Sequence, residues 1–234
     1  TGNQNFTFQS YVKVDESGSA LSIWYTGQDG DPENNFSIST STSPSEGFRV
    51  FWEHSGGTNY VFFGNGDITS DSWAHLSTTW DGTTLKLYIN GELVSQDVPP
   101  NGPGATADRD YTFGGSGFID ELSIWNIALS QDEIQTYMET SPSNETGLVS
   151  YWNFNEGEGN TLTDISGNGN SGTIYEASWS GDGAPVEPPV LGCTDSYAEN
   201  YNSDATADDG SCAGYPDNGE YVLSFDGIDD YVPV

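Results

Sequence analysis

The sequence predicts an all-β fold of two packed antiparallel sheets, and three observations carry that prediction. Apolar residues come in short alternating runs separated by Asn, Asp, Ser, Thr and an abundance of Gly, 29 in 234 residues, which is the texture of strands joined by turns. Apolar content is low at 34%, so the seven Trp, thirteen Tyr and eleven Phe must supply much of the buried area. Only one segment carries a helix signature.

Taken in order, "NFTFQSYVKVD" alternates as a strand from the start of the chain, and "ALSIWYTG", "NFSISTSTS", "GFRVFWEHSG" and "NYVFFG" follow as further strands. Residues 73–98, "WAHLSTTWDGTTLKLYINGELVSQDV", read as a three-stranded meander. Its turns are Asp81-Gly82 and Asn90-Gly91, dipeptides suited to type I′ hairpins because both central positions need positive φ. "YTFGG" and "FIDELSIWN" add two strands. The single helix starts at Ser130 as N-cap with Glu133 as its capping-box partner, and Ile134, Tyr137 and Met138 share one face. "GLVSYWNFNE" and "TIYEASW" are strands flanking the loop "DISGNGNSG". Residues 180–219 lose the pattern and read as a Pro-rich, extended linker. Beyond them "YVLSFDGIDDYVPV" is a last strand with nothing after it to pair with.

Four Lys plus Arg against 36 Asp plus Glu give a net charge of −32, so nucleic acid and anionic lipid are repelled rather than attracted. Such charge serves either solubility or the neutralisation of hard divalent cations, which take oxygen ligands. No run of about 18 apolar residues is present, so no segment is expected to insert in a membrane. Cys193 and Cys212 have no His nearby for a zinc site; a disulfide closing a short loop is their natural use, and it implies an extracellular or cell-surface setting.

Five of these pieces, "SFDGIDDYV", "NFTFQSYVK", "WAHLSTTWDGTTLKLYINGELV", "GFIDELSIWNIALSQDEIQTYM" and "GLVSYWNFNEGEGNTLTDISGNGNSGTI", together resemble the laminin-G-like, concanavalin A-like jelly-roll modules of secreted bacterial surface proteins. The resemblance implies a two-sheet jelly roll over residues 1–179 that lacks its first strand, a linker with a disulfide-closed loop over 180–219, and a terminal strand over 220–234. In that family the "SFDG" strand comes first, whereas here it comes last. The chain therefore looks like one period of a tandem array, whose last strand completes its own sandwich or that of a neighbouring copy, since a missing strand leaves an open edge.

The resemblance also implies calcium as a structural cofactor at Asp226, Asp120, Asp164, Asn168 and Asn170. The alternative for Asn168 and Asn170 is Asx-turn chemistry, with side chains bonded to local backbone. Asp120 falls inside a strand, where an unpaired carboxylate is costly to bury. In the cysteine loop Asn200, Asn202, Asp204, Thr206 and Asp208 place oxygens at every second residue, with Asp195 and Asp209 nearby, as calcium loops do. Ala205 and Ser211 stand where an EF-hand has Gly and Glu, so the loop is not one; it resembles the small acidic linkers of bacterial adhesins, and a merely solvated loop is the other reading.

No enzyme is expected. The Glu-x-Asp-x-x-Glu signature of β-glucanases is absent around Asp120, and neither His54 nor His75 sits in a recognisable catalytic or metal-ligand arrangement. "GGSGF" lacks the Lys and the helix of a phosphate loop. The sequence thus leads to a calcium-stabilised adhesive repeat partnered by neighbouring copies. The alternative is a lectin-like module that takes cell-surface glycans on a platform of Trp24, Tyr25, Trp52 and Tyr60, aromatics that would otherwise be core.

Overall fold

A computed structural model describes residues 5–14, 21–26, 36–40, 47–54, 58–64, 68, 72–99, 112–186, 191–205, 207–208 and 210–214. They fall into two compact units, within Thr1–Glu187 and within Pro188–Val234. The terminal strand expected at 221–234 lies outside the described residues, as do Asp226, Asp209 and Thr206.

The first unit runs β1 (Phe6–Val14), β2 (Leu21–Thr26), β3 (Phe36–Thr40), β4 (Phe48–His54), β5 (Thr58–Gly64), β6 (Ala74–Trp80), β7 (Leu85–Ile89), β8 (Glu92–Asp97), β9 (Thr112–Gly115), β10 (Gly117–Trp125), helix α1 (Gln131–Glu139), β11 (Leu148–Trp152), and the short β12 (Thr161–Leu162) and β13 (Gly172–Thr173). One antiparallel sheet has six strands in the order β11-β10-β1-β6-β7-β8, and the other has five in the order β5-β4-β3-β2-β9. This is the jelly-roll sandwich that the strand pattern and the resemblance led one to expect. Its core interleaves Val12, Leu76, Trp80 and Leu87 of the larger sheet with Ile38, Phe48, Val50 and Trp52 of the smaller. Alternation along each strand sends every second residue into that space.

The six-stranded sheet is buried on its other face as well, for β6 is buried at every position and β1 from Thr7 to Val12. Helix α1 roofs this second face: Ile134 packs with Tyr88, Trp125, Leu129, Leu148 and Tyr151, and the Trp125 and Tyr137 rings lie 4.7 Å apart. The capping box forms as the sequence predicts, with Ser130 Oγ accepting from Glu133 N–H while the Glu133 carboxylate accepts from Ser130 N–H. Asn90 and Gly91 both take positive φ, 50° and 75°, the type I′ turn their sequence calls for. A side chain at Gly91 would also press on Gln135 and Met138 at under 3 Å, so the hairpin fits beneath α1 only with glycine there. Thr7 ties the roof to the sheet, its hydroxyl donating to Ile127 O and accepting from Leu129 N–H.

Two local expectations are corrected. Asp81-Gly82 does not form a two-residue type I′ turn: four residues, 81–84, join β6 to β7, and only Gly82 has positive φ. The Asp81 carboxylate accepts from Thr83 and Thr84 N–H, which lets Asp81 keep an ordinary backbone. "TIYEASW" is not a strand beyond Thr173, because its partner β12 is only two residues long; Tyr175 is 81% exposed and Trp179 Nε1 donates to Gly159 O. Residues 180–186 then lie along the sandwich, with Lys13 Nζ 2.8 Å from Asp182 and Ala184 N–H donated to Asp120.

In the second unit, β14 (Leu191–Gly192) pairs in parallel with β15 (Ala207–Asp208), and Cys193 and Cys212 form the expected disulfide.

Candidate functional site

Two uses are open to the Asp and Asn positions, cation ligation and local hydrogen bonding. Asp164 is buried, and its carboxylate accepts from the N–H groups of Tyr151, Ser166 and Asn170. Burial alone would raise its pKa, but these donors and the Ser166 hydroxyl outweigh it and hold the group below the usual carboxylate range. The Asn168 amide donates to Leu148 O and Val149 O, and that of Asn170 to Val149 O and Ser150 Oγ. These side chains cover the outer edge of β11, the last strand of its sheet, with hydrogen bonds in place of a further strand. N–H donors reach both Asp164 oxygens, so the carboxylate serves the local backbone in the manner of an Asx turn.

Asp120 accepts from Glu121 and Ala184 N–H, and burial raises its pKa against those bonds. Glu121 has positive φ, 51°, at the bulge where β10 slips one residue against β1. Burial lifts its carboxyl to about 7, a bond from the Tyr151 hydroxyl opposes the rise, and the neighbouring Asp120 charge adds to it. The sequence carried no sign of this group; a bulge is a tertiary event, and "DEL" looks like ordinary strand.

In the cysteine loop, Asp195 Oδ1 accepts from Tyr197 N–H, Asn202 Oδ1 from Asp204 N–H and Asn200 Oδ1 from Ala213 N–H, while Asn200 Nδ2 donates to Ser211 O. Asp208 sits in β15, opposite Gly192. Among the described residues no three His, Cys, Asp or Glu gather as metal ligands.

The aromatic platform divides. Trp52 is 1% exposed and belongs to the core, not to a surface. The Tyr60 ring lies 4.2 Å from it, and its hydroxyl bonds Asp97 on β8; burial first, and then the Asp97 carboxylate, raise the phenol pKa. Both point inward because they share the face of Phe48 and Val50. Trp24 and Tyr25 lie on β2, where their backbones pair with Ile38 and Ser37, and their side chains lie outside the described part of the structure.

What the expectation missed is the other face of the same strands. Register places two transverse rows there: Ser39–Arg49–Phe63, and Ser37–Phe51–Val61. Arg49 is exposed, Val61 is 42% exposed, and Phe51 and Phe63 are half-buried yet, among the described residues, join neither hydrophobic cluster. Arg49 Nε donates to Ser39 Oγ at 3.0 Å, which fixes the guanidinium over β3. The signal was available in "FRVFWEH": once Phe48, Val50 and Trp52 are assigned to the core, Arg49 and Phe51 must face out.

Residues 1–135 match the laminin-G-type family described as the concanavalin A-like lectin/glucanases superfamily. Pappalysin-1 from Mus musculus is 35% identical over 79 residues, 29% of this chain and 5% of that protein. The adhesion G-protein coupled receptor D1 from Bos taurus is 28% identical over 125 residues, 45% of this chain and 14% of the receptor. The chain thus spans a small part of these relatives. Among solved structures, a candidate carbohydrate-binding protein from Bacteroides ovatus aligns at TM-score 0.50 and 19% identity, covering 76% of this chain and 55% of that one. The NanB sialidase from Streptococcus pneumoniae aligns at TM-score 0.50 and 20% identity, covering 62% of this chain and 25% of that one. At such identities the likeness is one of fold.

Proposed function

The chain belongs to the concanavalin A-like lectin/glucanases superfamily, and from that premise we propose that it is a carbohydrate-binding module, without turnover, of a secreted or cell-surface protein. The observation that carries this reading is the outward face of β3, β4 and β5. Phe51, Phe63 and Val61 offer apolar surface to the C–H faces of sugar rings, and Arg49 and Ser37 offer hydrogen bonds beside it. A contiguous apolar patch rimmed by polar groups is the kind of surface that recognition uses. The Cys193–Cys212 disulfide supports an oxidising location. A glycan array probed with the 234-residue chain tests the proposal. Specific, saturable binding that Phe51→Ala abolishes is expected, and an array with no saturable signal would reject it.

A further inference from the structure

Resting on that reading, the geometry points to a sugar that carries a carboxylate, held by the guanidinium of Arg49 on β4, at the outer face of the five-stranded sheet. The chain has only four Lys plus Arg. Lys13 is paired with Asp182, Lys86 lies on β7, in the other sheet, and Arg109 lies outside the described residues. Arg49 is different, since among the described residues it makes no ion pair and its one hydrogen bond goes to a neutral serine hydroxyl. That bond occupies Nε and orients the planar group, leaving the Nη donors, the geometry that takes a carboxylate through charge-assisted bonds. Phe63 is its cross-strand neighbour, and Phe51 lies two residues along β4 on the same face. A ring stacked on either aromatic would bring a ring carboxylate within reach of Arg49.

The chain's net charge of −32 opposes an anionic ligand from a distance. At about 0.15 M salt that repulsion is screened beyond about 8 Å. The contact between guanidinium and carboxylate lies inside this length, so the local attraction decides. A neutral sugar would stack on Phe51 or Phe63 equally well and would leave the cation without a role.

Calorimetric titrations on the full 234-residue chain test this with trigalacturonate and sialyllactose as acidic arms, which distinguish a uronic from a sialic source. The methyl ester of trigalacturonate and lactose serve as neutral arms. At least one acidic arm should bind, Arg49→Gln and Arg49→Ala should weaken it by about tenfold or more, and the ester should bind the wild type no better than the variants bind the acid. Arg49→Lys, which keeps charge and stem but loses the fork, should fall between and covers any disturbance of the sheet by Ala. Equal affinity for acid and ester, or acidic binding indifferent to Arg49, overturns the inference. Binding of neutral glycans alone removes this inference while the carbohydrate-binding reading stands; no binding of any glycan on the array removes both.

Discussion

The six-stranded sheet buries both faces along β1 and β6, one in the sandwich core and the other beneath α1. The five-stranded sheet buries the face of Phe48, Val50 and Trp52, and on its other face leaves Arg49 and Val61 exposed. In the first sheet even polar side chains are enclosed. His75 is buried with its pKa pushed down to about 3 by desolvation, and its Nδ1, Gln9 Oε1 and Ser77 Oγ have no hydrogen-bond partner among the described residues. The difference separates tasks, because a sheet covered on both sides holds the fold and a sheet covered on one side leaves a surface for recognition.

The comparison breaks first if truncation costs the same on both sheets. Trp125→Ala, beneath the roof, should lower stability by ~3–5 kcal/mol, whereas Phe51→Ala should cost ~1 kcal/mol or less; urea unfolding of the two variants measures both. Next comes the loop that guards the β11 edge. Asp164→Ala strands the N–H groups of Tyr151, Ser166 and Asn170, with an expected loss of ~2–3 kcal/mol. As Asp164 has a lowered pKa, its contribution is present above the ordinary carboxylate range and lost as pH falls through the depressed value. Thermal melts below pH 4 should show this loss in the wild type and not in the variant.

Glu121 has the opposite sign. Its carboxyl sits at about 7 in the fold against an ordinary 4.5, so between those values the folded state holds a proton that the unfolded chain has lost. Stability should therefore fall as pH rises through this window, by on the order of 2 kcal/mol after allowance for partial exposure. Unfolding from pH 4.5 to 7.5 should show that slope in the wild type and a flatter one in Glu121→Gln. The smallest effect is at the roof's own start, where Ser130→Ala removes the N-cap of α1 at a cost of ~1 kcal/mol, read from the same denaturation curves.

The strands, the Asn90-Gly91 turn and the Ser130–Glu133 cap were legible because each rests on a few consecutive residues whose chemistry acts locally. The Asp81 turn was misread because its dipeptide suits two loops, and the carboxylate's reach to Thr83 and Thr84 N–H selects the longer. Trp52 was placed on a platform because a strand read alone shows two faces without saying which meets the opposite sheet. That requires the partner, here Trp80, whose ring lies 6.5 Å away across the sandwich. Arg49 was passed over for the same reason, and the Glu121 bulge depends on β1, more than a hundred residues earlier.

An NMR titration of the isotope-labelled chain with the tightest-binding array glycan tests the division between the sheets most directly. Amide shifts should gather on β3, β4 and β5 around Ser37, Arg49, Phe51 and Val61 while the residues beneath α1 stay fixed. Shifts concentrated on α1, or in the loop around Asp164, would contradict it.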